Sequence, residues 1–281
     1  MTTMTTTTAG TATEPPARFR DLLAAEWLKF RTLRSTPWSL AISALIILAF
    51  NVGAACEHYL HWHAQGMTPG SFIAQGLPLL DAFDTNAGIV MMIAASAIGA
   101  VAITGEFGAG LIRTTFTAVP ARRSVMAAKV SVIAAITTVF GTVVAAASFG
   151  LTQAILSGRH AAVSIGYPGA LRVVVASALL APLSALVGAA AGAVVRHSAA
   201  AVAASFVILQ VLPLLIRDGS HLPAVIAHTL PFEAWNRLVA IPYHAHGTAY
   251  PWRVAGAWIV YAAWALAAAI LAVTTVHHRD L

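Results

Sequence analysis

Residues 173–195 read VVVASALLAPLSALVGAAAGAVV, 23 consecutive positions without Asp, Glu, Lys or Arg. A helix of about 20 apolar residues crosses a bilayer core of roughly 30 Å. In lipid such a helix satisfies its own backbone hydrogen bonds. Five further predominantly apolar stretches lack all four charged residue types in the same way: 35–56, 85–105, 130–158, 197–216 and 254–278. Transmembrane β-strands would show short alternating segments instead, and none are present. The expected fold is an all-α integral membrane protein, with six transmembrane helices preceded by an amphipathic interfacial helix. The expected spans are about 37–56, 86–105, 130–152, 173–195, 198–216 and 254–276.

Composition agrees. Of 281 residues 59% are hydrophobic and 9% charged, whereas a soluble domain has about 45–50% apolar and 25% charged residues. Mean hydropathy is +0.80. These values exclude a soluble globular protein and an intrinsically disordered chain. The pI near 10.1 rests on only 16 Lys and Arg against 10 Asp and Glu, so position matters more than sum. With the N-terminus inside, eleven of the bases fall on the cytoplasmic side, and 57–84 carries acids but no Lys or Arg. Basic residues concentrate on the cytoplasmic side of membrane proteins, so both termini are expected there, and the charge records orientation in a membrane and not affinity for nucleic acid.

The stretch 1–17 is low-complexity and polar and reads as a disordered tail, without the basic and apolar regions of a secretory signal. In 18–34, RFRDLLAAEWLKFRTLR, the residues Phe19, Leu22, Leu23, Trp27, Phe30 and Leu33 recur at steps of three and four. They form one helical face, with Arg18, Arg20, Asp21, Lys29 and Arg34 placed elsewhere on the wheel. A helix of this kind lies in the membrane interface, its contacts carried by Trp27, Lys29, Phe30, Arg31 and Arg34. Residues 35–281 form the transmembrane domain.

Reactive groups are scarce. The only lysines are Lys29 and Lys129 and neither follows Gly, so the chain has no P-loop and no nucleotide site of its own. Nucleophile-elbow and zinc-hydrolase motifs are missing as well, and no catalytic residue is assigned. Histidine is the exception, with 11 copies, including His58, His61 and His63 in EHYLHWH. Such spacing can chelate a transition metal, which keeps open a membrane enzyme or metal-binding protein; a non-transporting anchor or sensor is a further alternative. At a membrane edge rich in Trp and Tyr the same residues read as an ordinary interfacial loop, and no metal ligands are assigned. Gly188 and Gly192 form a small-xxx-small pair that lets helices approach closely.

The most informative stretch is 105–129, GEFGAGLIRTTFTAVPARRSVMAAK. Gly108 and Gly110 are expected to end one helix, and a short surface helix is expected over 111–119, ahead of Pro120. Leu111, Thr114, Thr115 and Ala118 would share a face able to dock on a partner. Glu106 through Arg123 resembles the first intracellular loop of permease subunits of ABC exporters of the ABC-2 type, with their Glu-aromatic, Gly-x-Ile-Arg-Thr-Thr and Pro-x-Arg pattern. The stretch AEWLKFRTLRSTPWSL is similar to the beginning of the same family. The resemblance implies a transport subunit in the cell membrane. A separate ATPase subunit would bind ATP and Mg, and a second permease subunit, identical or paired, would complete the bilayer-embedded pair. It also implies a coupling surface drawn from Glu106, Leu111, Arg113, Thr114, Thr115, Arg122 and Arg123 together with the interfacial helix. Partly re-entrant helices are implied between the fifth and sixth spans, within LPAVIAHTL and PFEAWNRLVAI.

Overall fold

The computed structural model describes residues 18–32, 35–64, 66–108, 121–216, 221–241 and 252–275. Among these residues every regular element is helical. Six helical stretches are long and apolar enough to cross a membrane: Ser35–Leu60, Leu77–Gly108, Arg122–Ser157, Ala170–Val195, Ser198–Leu215 and Val254–Thr275. The protein is an all-α, multi-pass membrane protein. The tail 1–17 lies outside the described residues.

Helix α1 is Phe19–Thr32 and α2 is Ser35–Leu60. Two short helices follow, α3 (Pro69–Ala74) and α4 (Leu77–Ala82). Thr68 caps α3, accepting a hydrogen bond from the Ser71 amide at 3.2 Å, as short polar side chains do at helix starts. Helix α5 is Thr85–Gly108; the expected glycine stop at Gly108 and Gly110 falls where the described residues end. Helix α6, Arg122–Ser157, has 36 residues. It is therefore about 54 Å long at 1.5 Å per residue, well beyond the expected 130–152. The extension arises because RRSVMAAK holds good helix formers and no proline or glycine; it carries Lys129 out along the rim of the bundle.

Helix α7, Ala170–Val195, is the hub of the fold and is enclosed on nearly every side. Its pairing with α5 is backbone to backbone. A Cβ on Gly188 would run into the Ser96 carbonyl oxygen, and one on Gly192 would come within 2.9 Å of the Ala100 oxygen. Gly99 answers from α5 against Ala185. Small residues let helices approach closely where lipid supplies no hydrophobic drive for association. Pro182 lies inside α7 and has no N–H for the Ala178 carbonyl. Gly141 of α6 packs directly on that carbonyl oxygen, so a proline and a glycine together bring α6 and α7 close.

The fifth span starts as α8, Ser198–Phe206, widens into a π turn at Val207–Val211 and closes with Leu212–Leu215. The widening sits just ahead of Pro213, whose missing N–H breaks the regular ladder. Between the fifth and sixth spans lie α9 (His221–His228) and α10 (Pro231–Val239), and the last span is α11, Val254–Thr275. Helix α10 packs among α7 and α11. It inserts Trp235, whose indole N–H donates to Ser177 Oγ of α7 at 3.2 Å. That ring fills the space a side chain on Gly88 would need.

Candidate functional site: an ionic cluster flanking residues 109–120

Helix α1 does not lie free of the bundle. Leu22 and Phe30 pack against the main core, and between them Glu26 is buried, its side chain 6% exposed. At 100° per residue, Glu26 sits in the middle of the apolar arc of the wheel. Lys29 borders the same arc, so it turns toward the bundle and not to the polar side expected for it. Trp27 stays 52% exposed, Arg31 is also exposed, and Arg34 lies outside the described residues. Trp27 is thus the most exposed aromatic side chain of the helix, with Phe19 and Leu28 also exposed.

Glu26 and Lys29 meet Glu106, from the last turn of α5, and Lys129, two turns into α6. Lys129 Nζ donates to Glu106 Oε1 at 2.7 Å and makes its closest contact with Glu26 Oε2. Lys29 Nζ donates to Glu26 Oε1 at 2.8 Å and to Glu106 Oε1 at 3.1 Å. Two acids and two bases alternate, so the group is neutral and each charge has opposite partners. The side chain of Lys129 is 7% exposed and that of Lys29 42%. Burial alone would lower the Lys29 pKa, but its hydrogen bond to Glu26 and the charges of Glu106 and Glu26 outweigh burial and hold it above the usual lysine value. Both lysines of the chain are used here.

The position of this cluster matters more than its strength. Glu106 precedes the 109–120 stretch and Lys129 follows it, and α1 bridges the two. Buried ion pairs are weak evidence for stability but are costly to break, because a lone charge is left behind. The cluster therefore ties α1 to the end of α5 and the start of α6. Arg122 lies on the first turn of α6, partly buried, and Arg123 is exposed. Leu111, Arg113, Thr114, Thr115 and the expected 111–119 helix lie outside the described residues. Glu26 escaped the reading from periodicity; the available signal was a carboxylate inside an apolar arc in a chain with two lysines to neutralise.

The opposite end of the bundle is built differently. His58 Nδ1 pairs with Asp81 at 3.0 Å, His61 with Glu57 at 3.1 Å, and His63 Nε2 faces Arg159 at 3.5 Å. The three histidines thus turn to three separate partners. Among the described residues no group of three His, Cys, Asp or Glu side chains is placed to hold a metal ion. Gln153 bridges the Pro78 carbonyl and the Val163 amide at 2.9 and 2.8 Å. Asn51 donates to Ser148 Oγ at 2.8 Å and accepts from the Asp84 amide at 3.0 Å. Asn51 and Ser148 line a pocket with Ser177, Met91, Leu180 and Trp235. Its polar groups are already paired with one another, which leaves a mostly apolar wall. Comparison of the chain with protein-family models and with curated proteins gives no match.

Proposed function

We propose that the chain is the membrane-spanning permease subunit of an ATP-driven exporter of the ABC-2 type. It sits in the cell membrane with both termini cytoplasmic. A second permease subunit, identical or paired, completes the transmembrane pair, and a separate ATPase subunit supplies the site for ATP and Mg. The chain is a transport subunit and carries no catalytic residue.

One observation supports this reading most strongly. The cluster of Glu26, Lys29, Glu106 and Lys129 ties the interfacial helix to both ends of the loop that would meet the motor. A pull on the 109–120 loop is then delivered to α5 and α6 together with α1, and through the close α5–α7 contact to the hub of the bundle. A ligand or partner shifts a conformational equilibrium only through different contacts in the two states, and a loop rooted in this cluster supplies such a lever. The resemblance of Glu106 through Arg123 to the first intracellular loop of these permeases, and the lack of a P-loop in this chain, agree with a separate motor.

The test is affinity purification of the chain from its native membranes, probed for a P-loop ATPase. The two should co-elute, and Arg113→Glu should reduce recovery of the ATPase at least several-fold while membrane insertion is unchanged. Absence of co-elution by the unaltered chain rules against the reading; unchanged recovery with Arg113→Glu rules against the docking role of that residue.

A further inference from the structure

Arg196 combines two unfavourable features. It ends α7 in the left-handed region, at φ 58°, where residues other than glycine, asparagine and aspartate are seldom found. Its guanidinium Nε and Nη2 are buried without a hydrogen-bond acceptor. The charge lies 5.1 Å from the centre of the Phe107 ring, and a ring face replaces only part of what a carboxylate would give. A buried charged donor without an acceptor is among the costlier defects a fold can hold.

The acceptor it lacks is one residue away from the ring beneath it. Phe107 follows Glu106 on α5, and neighbours on a helix point about 100° apart. Glu106 thus faces Lys29 and Lys129 while Phe107 faces Arg196. The other carboxylates at this end, among the described residues, are Glu26 and Asp21. Glu26 is enclosed by the two lysines, and Asp21 is exposed on α1 beside Arg20. Gly105 and Gly108 flank Glu106 and Phe107, each with open space where a side chain would stand, and glycine disfavours helix by about 1 kcal/mol relative to alanine.

We propose that Arg196 is a second seat for the Glu106 carboxylate. A turn of the last residues of α5, hinged at Gly105 and Gly108, moves Glu106 from the lysines to the guanidinium and lifts Phe107 away from it. Lys29 and Lys129 then share Glu26, so one ion pair is exchanged for another and the unmatched positive charge passes from Arg196 to the lysine pair, where Lys29 is half-exposed. The root of the 109–120 loop then has two defined positions. Use of the exchange in coupling rests on the permease reading; the exchange itself is a property of this chain alone.

Two measurements on the purified chain, without any partner, test it. Removing an unpaired buried charge should stabilise the arrangement described, so Arg196→Gln should raise Tm by about 2–4 °C. No rise, or a fall, makes Arg196 a structural prop on Phe107 and overturns the proposal. For the second, the single cysteine is replaced (Cys56→Ser) and an environment-sensitive thiol probe is attached at Val195→Cys, an exposed position beside Arg196. Lys29→Gln loosens the first seat and should shift the probe emission, and adding Arg196→Gln should abolish that shift. No shift, or a shift indifferent to Arg196, overturns the exchange. Failure of an ATPase to bind leaves both outcomes untouched, so the two readings fail separately.

Discussion

The two ends of the bundle are held by different chemistry. At the end where α1 lies, side chain meets side chain, with four charges from three helices closing on one another. At the opposite end, beside the His58–Asp81 and His61–Glu57 pairs, other side chains grip backbone: Gln153 holds the Pro78 carbonyl, and Arg159 donates to the Tyr59 carbonyl at 2.9 Å while stacking on its ring. A backbone acceptor is fixed in its own helix, so such bonds lock one arrangement. Charged side chains on long stems can change partners without disturbing the helices behind them. The contrast assigns rigidity to one end and a capacity for movement to the other.

The largest effect that would break this comparison is at Lys129. Lys129→Met leaves Glu26 buried with only half-exposed Lys29 beside it, and stability should fall by about 3 kcal/mol or more. Thermal unfolding in detergent measures this, and adding Glu26→Gln should restore part of the loss because the stranded charge is gone. A loss under about 1 kcal/mol would mean that the cluster is hydrated and not a buried clamp.

An intermediate effect is expected at the other end. Gln153→Leu removes one donor and one acceptor from a buried bridge and strands the Pro78 carbonyl and the Val163 amide. The expected loss is about 1–3 kcal/mol, with no change in the pH dependence of unfolding, since both partners are uncharged backbone. A pH-dependent loss would remove the distinction between the two ends.

The smallest effect concerns Lys29. Its folded pKa lies above the unfolded value, so its contribution is complete below the usual lysine pKa and disappears as pH rises through the raised one. Unfolding temperature should therefore fall on the alkaline side of the lysine range, and fall less steeply in Lys29→Gln. Parallel curves for the two proteins would show that Lys29 contributes nothing through its charge.

How far the fold could be read from residues follows the same division. The six spans were legible because a membrane helix is marked by missing charge, which a sequence displays directly. The ends were not, since α6 runs on through Arg122 and Lys129 by helix propensity, beyond the apolar stretch that marks a span. Gly188 and Gly192 were legible as packing residues because small-xxx-small spacing has a geometric meaning, whereas Gly141 opposite Pro182 depends on which helices become neighbours. Glu106 was singled out from its loop. Glu26 was passed over because it interrupts an apolar arc, and Lys29 was set on the polar side, since the wheel of one helix does not contain the partners brought by α5 and α6. Only the assembled bundle makes those two residues a pair.

A permease subunit of the proposed kind converts ATP turnover elsewhere into movement of its own helices. The direct measurement is ATP hydrolysis by the co-purified ATPase in lipid nanodiscs, with no permease chain, with the unaltered chain and with Glu106→Gln. The account predicts that the unaltered chain binds the ATPase and changes its turnover several-fold, and that Glu106→Gln still binds but loses most of that change. ATP turnover that is the same with and without the chain would contradict it.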